Sequence, residues 1–252
     1  MNWPTSGLNA VPPNEARVTR VSNCVQVLHP PGAPHPASLN DIIDEDTIAR
    51  TGKSSQAELT FSDGTIVRLA SNTAFNFKGG TRALNLGQGA VLIQAPKNAS
   101  GATIHAGGIA AAIAGTTSTI EYHPGVCKFL VLEGTSRLYR PGHLGDSVLV
   151  GPGQLLIGNP SAALSDPVDF DIARFVKTSR LIVGLPPLRS EKLIAAESQK
   201  QLREKSKKTL IDTNMVIFGG GTRVSLVGQA QTGTTSAPAT SPPTPKVTVA
   251  PQ

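Results

Sequence analysis

The residues with the widest chemical range in this 252-residue chain are its five histidines, because an imidazole can carry a proton or bind a metal ion near neutral pH. Their spacing contains no HxH, HxxxH or HExxH pattern, so local sequence brings no two of them together. His105 and His123 could meet in a β-rich fold, but so could most other pairs. The sequence therefore predicts no metal centre. The five are His29, His35, His105, His123 and His143.

Other chemically capable residues also lack the spacing that their chemistry needs. No GxSxG or GxGxxG motif occurs, and Gly219–Gly221 is not followed by the Lys-Ser/Thr of a phosphate loop. The acidic residues Asp41, Asp44, Glu45 and Asp46 lack the glycine and ligand spacing of a calcium loop, so we interpret them as a solvated turn, with cation binding as the alternative. We predict no catalytic, cofactor-binding or metal-binding residues, and no enzyme activity.

The two cysteines, Cys24 and Cys127, both lie in apolar, strand-like contexts and form no CxxC motif. The expected state is two buried free thiols that pack as small hydrophobic side chains. A single long-range disulfide is the alternative. Two cysteines alone cannot complete a zinc site.

The segment from Ile48 to Gly158 is built from short alternating apolar runs separated by turn residues such as Asp63-Gly64. Strands recur about every ten residues, which is typical of an all-β sandwich, barrel or solenoid. No helical pattern of the length found in βαβ units interrupts them. The alternation also predicts that Phe61, Phe75 and Phe77 point into the core.

Composition and charge limit the class of protein further. Charged residues make up 16% of the chain, which excludes a coiled coil, and 39% hydrophobic residues is too many for a chain disordered throughout. Residues 161–252 carry 12 Lys and Arg against 7 Asp and Glu, which is most of the net charge of +6. We interpret the basic run Arg203–Lys208 as a solvated helix end, because no aromatic residues are interleaved with it.

Changes in composition and in hydrophobic periodicity divide the chain into four segments. Residues 1–16 lack periodicity and are predicted to form a flexible arm, and residues 17–160 to form the all-β domain. Residues 161–228 are predicted to form a helical basic tail, and residues 229–252 a disordered tail rich in Pro, Thr and Ser.

Two helices are predicted in the basic tail. Asp166 and Pro167 have the residue types of an N-cap and a first helical position, which predicts a helix that starts there. A second helix is expected from about Ser190 to about Lys208, with a thin apolar stripe.

Six short elements follow one another between residues 48 and 158, and together they resemble the domain of the FecR family. The fourth departs from the family pattern, because Ser118 stands where an aromatic residue is usual. The elements are Ile48–Leu59 for the TG..s.aeL opening, Phe61–Leu69 for DGt.v.l, Leu84–Ala90 for L..G, Ala114–Thr117 for GT.F, Val131–Gly134 for V.eG.v.v and Gly151–Gln154 for the closing aGq.

The resemblance implies an all-β extracytoplasmic domain without catalytic residues. In the best-known members it lies in the periplasm, contacts the signalling domain of an outer-membrane transducer, and is joined by a membrane helix to a cytoplasmic regulator of a sigma factor. We expect this chain to depart from that plan, because no regulator helices or membrane helix precede the domain, and Met1–Gly7 does not read as a signal peptide. The expectation is a free-standing periplasmic or secreted protein.

These observations predict a non-catalytic FecR-like β-domain that acts as a protein-binding or signal-relay scaffold. A strand edge is the expected contact, because unpaired N–H and C=O groups there can accept another strand. The first alternative is a module that binds envelope polymer, lipid or nucleic acid through the basic helical tail. The second alternative is an unrecognised enzyme.

Overall fold

The computed structural model describes residues 15–78, 82–99, 101–206, 209–212 and 225–226. The predicted disordered tail at 229–252 and all but the last two residues of the predicted arm at 1–16 lie outside the described residues, as does Gly219–Gly221. The described residues are mainly β, with 17 connected strands, a separate pair of two-residue strands and two helices, which confirms the predicted fold class.

Most strands are short. In chain order the elements are β1 (Ala16–Ser22), β2 (Val25–Leu28), β3 (His35–Pro36), β4 (Ile42–Ile43), β5 (Ile48–Thr51), β6 (Gln56–Phe61), β7 (Ile66–Leu69), β8 (Ala74–Lys78), β9 (Ala83–Gln94), β10 (Ala102–Ala106), β11 (Ile109–Ile113), β12 (Thr117–His123), β13 (Val126–Glu133), β14 (Ser136–Tyr139), β15 (Ser147–Val150), β16 (Gln154–Gly158), β17 (Val168–Asp169), α1 (Ile172–Thr178), α2 (Glu191–Glu204), β18 (Ile211–Asp212) and β19 (Ser225–Leu226).

The 17 strands form two sheets that share β9. The strand order of the first sheet is β4-β1-β6-β7-β9-β12-β13-β16-β17, and that of the second is β3-β2-β5-β8-β9-β10-β11-β14-β15. All pairs are antiparallel except β9 with β10. The strand passes from one sheet to the other at Gly89, where φ is +90° and a Cβ atom would lie 2.4 Å from the Thr73 hydroxyl oxygen. Only glycine fits this position.

The main core lies between the two sheets and is filled by the inward residues of each strand. Phe61, Phe75 and Phe77 are all buried, which confirms the prediction from their alternation. The rings of Phe61 and Phe77 meet edge to face with their centroids 5.0 Å apart. At the β6–β7 turn, Asp63 accepts a hydrogen bond from the Thr65 backbone N–H at 2.8 Å, which fixes the hairpin.

A second core covers the outer face of the first sheet. Leu130 and Leu132 on β13 point away from the main core and pack with Phe170, Phe175 and other apolar side chains of residues 170–194. The first sheet is therefore buried on both faces, which explains why β13 is apolar at nearly every position. The structure has three layers, namely the second sheet, the first sheet and a covering segment of residues 170–194.

The covering segment does not begin as the sequence predicted. Residues after Asp166-Pro167 continue as β17, which pairs with β16, and the helix α1 starts at Ile172 with Asp171 as its N-cap. The Asp171 carboxylate accepts a hydrogen bond from the Arg174 backbone N–H at 2.9 Å. Strand pairing and the full burial of Phe170 outweigh the local helix-start signal. The helix α2 occupies the predicted place but ends at Glu204.

Candidate functional site

The outer face of the first sheet carries buried polar side chains that hold the covering segment. Arg68 on β7 donates from Nε to Glu58 Oε2 at 2.8 Å, and the two side chains are only 1% and 11% exposed. The same guanidinium donates to the backbone carbonyl oxygens of Leu181 at 3.1 Å and Pro186 at 2.5 Å. One arginine therefore ties the chain between α1 and α2 to the sheet.

A second polar cluster joins the start of α2 to the sheet. Gln94 Nε2 donates to Ser190 Oγ at 2.7 Å, and the hydroxyl oxygens of Ser190 and Thr117 also lie 2.7 Å apart. Thr117 donates to Glu133 Oε1 at 2.8 Å. Burial raises the pKa of the Glu133 carboxyl, and the hydrogen bond from Thr117 opposes this only in part. These groups satisfy one another, so they act as structural cross-links.

A groove of about 540 Å³ lies between the outer face of the first sheet and the residues at the end of α1. Its lining includes an ion pair in which Lys128 Nζ lies 2.7 Å from Glu121 Oε2, with both side chains buried. His123 Nε2 lies 3.4 Å from the other Glu121 oxygen. Thr119, on the same strand, also lines the groove, and its buried hydroxyl oxygen has no hydrogen-bond partner among the described residues.

Cationic side chains surround this groove. Lys53 and Arg180 line it, and Lys177 lines an adjoining pocket of about 300 Å³ that Arg180 also borders. All three are exposed, and none forms an ion pair within the part of the chain that the structure describes. Glu121 is the only acidic residue among the described lining of either pocket, and Lys128 neutralises it. The combined surface therefore carries an excess of positive charge.

The sheet edges differ in how well the described residues cover them. The outer strands at one end, β3 and β4, are two residues long, and β3 includes Pro36, which has no N–H to offer. At the other end, Phe170 bridges Ile211 in parallel, so the chain itself extends the first sheet beyond β17. The edge that remains is β15 in the second sheet, which pairs only with β14 among the described residues.

The edge strand β15 is flanked by exposed apolar side chains. Leu149 lies within it and is 56% exposed, and Leu144 in the preceding turn is fully exposed. The turn is fixed by Asp146, whose carboxylate pairs with Arg140 and accepts a hydrogen bond from the Leu164 backbone N–H at 3.1 Å. The Arg140 hydrogen bond lowers the pKa of the Asp146 carboxyl, and the Leu164 N–H adds to this. An ordered edge with apolar side chains is the form that accepts another strand.

The histidines that the sequence singled out are dispersed. The rings of His29 and His35 stack with their centroids 5.7 Å apart, while His105 lies on β10 in the second sheet and His123 on β12 in the first. His143 lies in the turn before β15. No three His, Cys, Asp or Glu side chains among the described residues are close enough together to hold a metal ion.

The four acidic residues lie on either side of the short strand β4: Asp41 directly precedes it, and Asp44, Glu45 and Asp46 follow it. The single turn expected from the sequence is therefore divided by a strand. Asp41 accepts a hydrogen bond from the Ser38 backbone N–H at 2.7 Å, and Asp44 accepts one from the Thr47 hydroxyl. Each carboxylate therefore stabilises the backbone on its own side of β4.

The two cysteines are free, and only one of them is buried. Cys127 lies on β13 inside the main core, and burial, with a smaller contribution from Glu121, raises the pKa of its thiol to about 12. Cys24 is exposed, so the expectation that it is buried was wrong. It follows Asn23, which has φ of +59° in the turn between β1 and β2, and this turn carries Cys24 away from the strand pattern.

The basic run at 203–208 is only partly described. The helix α2 ends at Glu204, and Lys205 forms an ion pair with Asp169 in β17, so it ties the end of α2 to the edge of the first sheet. Neither helix of the described residues is long and apolar enough to cross a lipid bilayer.

Comparison with known proteins finds one family model that matches part of the β-rich region of the chain. A family model described as FecR protein matches residues 47–136, which is roughly a third of the chain and overlaps the segment from 48 to 158 that resembled this family in sequence. This match confirms the predicted resemblance to the FecR family over these residues. No curated protein matches the chain.

Two solved structures are similar to part of the chain. Both are crystal structures of a proposed anti-sigma factor from Parabacteroides distasonis ATCC 8503, at 1.65 and 2.50 Å resolution. They show 11% and 12% identity with a TM-score of 0.43, and each comparison covers 52% of this chain. The chain spans 65% and 64% of the length of those two chains.

The FecR match supports a signalling or regulatory role that does not depend on catalysis, and FecR proteins are usually associated with the cell envelope.

Proposed function

We propose that this FecR-domain protein is a non-catalytic regulatory scaffold of the periplasm or the cell exterior that binds a partner protein by strand addition to β15. The observation that supports this proposal most strongly is that the strands at the sheet edges differ in length and in how well they are covered. Among the described residues, β15 is the one edge that is four residues long, lacks proline and pairs on one side only.

The geometry favours a partner segment in an extended conformation. A strand laid against β15 would form main-chain hydrogen bonds with the unpaired side of residues 147–150, which supply affinity with little sequence dependence. Side chains then supply specificity, since Leu149 is exposed on the outer face of the sheet while Val150 points into the core. The best partner is a strand with an apolar residue opposite Leu149.

A single edge substitution tests this proposal. Leu149→Lys keeps the main chain able to pair but places a charge where the partner strand would pack, which is how natural sheet edges resist unwanted pairing. The full chain, purified and immobilised, is used to capture proteins from an envelope extract of its own host. Hydrogen exchange is then measured with each captured protein in purified form.

The expected result is a protein that the wild-type chain retains and the Leu149→Lys variant loses, together with slowed exchange at 147–150 in the complex. Leu39→Lys is the matched control, because Leu39 is equally exposed but lies in the loop before β4. A partner that both variants retain, or one that slows exchange elsewhere and not at 147–150, would contradict the strand-addition proposal. Capture that depends on the chain after Glu204 and on low salt would favour the basic-tail alternative instead.

A further inference from the structure

We propose that the groove between the first sheet and the covering segment binds a short acidic peptide segment of another protein, in which carboxylate side chains alternate with small apolar ones. The groove is formed by Gln56, Ala90 and Thr119 on the sheet side and by Phe175 and Arg180 on the other side. It is separate from β15 and does not depend on the strand-addition proposal.

The charge of the groove selects an anionic ligand. Lys53 and Arg180 line it, Lys177 stands beside it, and no carboxylate of the described residues is paired with any of them. Three exposed cations around one concavity raise the local concentration of anions and orient them at short range. The one lining carboxylate, Glu121, is occupied by Lys128 and His123 and does not oppose this field.

Three buried hydroxyl groups of the described residues have no hydrogen-bond partner, those of Thr116, Ser118 and Thr119, and only Thr119 lines the groove. The Thr119 side chain is 5% exposed, it lines the groove, and its oxygen has no partner among the described residues. A buried hydroxyl without a hydrogen bond destabilises a folded protein, so such a group is expected to have a partner in the functional state. A carboxylate or a peptide group of the bound segment would supply it.

The groove is held open by contacts that a ligand would not have to break. Gln56 Nε2 donates to the Arg180 carbonyl oxygen at 2.6 Å, and Arg68 donates to the carbonyl oxygen of the next residue, Leu181, at 3.1 Å. The wall that carries the Arg180 side chain is therefore fixed through its main chain, and the guanidinium remains available. A preformed site loses less entropy on binding than a flexible one.

Residues 213–252 do not have the acidic composition of this ligand. No Asp or Glu follows Asp212 in the sequence, so residues 213–252 carry only cationic and neutral side chains.

The volume of the groove, about 540 Å³, is in the range of sites for small ligands or a few peptide residues. Apolar lining from Ala70, Ala90 and Leu181 accounts for the small apolar side chains in the proposed ligand.

The test uses the full chain and a fluorescein-labelled peptide of alternating Glu and Ala, measured by fluorescence anisotropy at low and at physiological salt. The Gln-Ala and Lys-Ala peptides of equal length are the ligand controls. Lys53→Gln combined with Arg180→Gln is expected to weaken binding by at least about tenfold, since two charge-assisted contacts are removed. Thr119→Val, which keeps the shape of the side chain, is expected to weaken it by about three- to tenfold without lowering the melting temperature.

Arg137→Gln is the matched control, because Arg137 is an exposed cation on the second sheet, and it should change affinity by less than about twofold. Leu149→Lys should also leave peptide affinity unchanged, which separates this site from β15. The proposal is overturned if the Glu-Ala peptide does not bind better than the Gln-Ala peptide. It is equally overturned if the Lys53/Arg180 double variant binds the Glu-Ala peptide as well as the wild type, or if Thr119→Val raises stability and leaves binding unchanged.

Discussion

Replacing Arg68 by Ala removes the contact that ties the covering segment to the first sheet. The substitution leaves the Glu58 carboxylate, whose side chain is 11% exposed, without its cation. It also removes the donors to the carbonyl oxygens of Leu181 and Pro186. Breaking a buried ion pair by removing one partner costs about 3–5 kcal/mol, since the remaining charge stays buried and uncompensated. We expect Arg68→Ala to lower the free energy of unfolding by about 4 kcal/mol.

The measurement is urea unfolding followed by circular dichroism, with linear extrapolation to water. Arg137→Ala, at an exposed arginine on the second sheet, is the control and should cost less than about 1 kcal/mol. The combined variant Glu58→Leu/Arg68→Met should cost less than Arg68→Ala alone, because it removes both charges and leaves none buried.

A second measurement separates loss of the anchor from a general loss of stability. Hydrogen exchange in Arg68→Ala should accelerate first at residues 181–189, which depend on the guanidinium, and later in the sheets. If Arg68→Ala lowers the free energy of unfolding by less than about 1 kcal/mol, the reasoning is refuted, because removing one partner of a buried ion pair costs more than this. A double variant as unstable as the single one would show that the charge of Glu58 is not the cause.

Three further predictions concern the core and its ionisable groups. Phe75→Ala should cost about 3–5 kcal/mol in urea unfolding, and a loss below about 1 kcal/mol would mean that its face is not part of the core. In the folded protein the exposed thiol of Cys24 should react rapidly with an aromatic disulfide reagent at pH 8. The buried thiol of Cys127, whose pKa is raised to about 12, should react only after unfolding. Rapid reaction of both thiols in the folded protein would contradict this prediction. The raised pKa of Glu133 means that the folded state binds more protons than the unfolded state above the ordinary carboxyl pKa, so this residue's contribution to stability falls as pH rises through that window. The free energy of unfolding of Glu133→Gln, relative to that of the wild type, should therefore increase from about pH 4 to about pH 7. A difference that is the same at both pH values would refute this prediction.

Local sequence pattern was sufficient to predict an all-β fold of short strands and the aromatic residues of its main core, while it left sandwich, barrel and solenoid open. Phe61, Phe75 and Phe77 lie at alternating positions of strands with clear turns, so period-two burial follows from strand geometry alone. The apolar run Phe129–Leu132 in β13 is the pattern typical of a strand buried on both faces. It did not indicate which segment covers the outer face, because that information lies in contacts such as Arg68 with Leu181, which are 113 residues apart.

The sequence interpretation failed where tertiary contacts outweighed local propensity. The Asp166-Pro167 signal predicted a helix, but residues 168–169 form the strand β17 instead, because they pair with β16 and the next residue, Phe170, is fully buried. The groove was not predicted either, because Lys53, Thr119 and Arg180 are brought together only by the covering segment.

The shared strand β9 has a consequence for how the protein unfolds. It is the fifth of nine strands in both sheets, and its 12 residues run through the bend at Gly89 without interruption. Neither sheet can lose its central strand while the other keeps its own, so the two sheets should melt as one cooperative unit. Cleavage of the chain at residues 87–89 would divide the strands of both sheets between two fragments. Those fragments would have to reassemble at this bend to restore the fold.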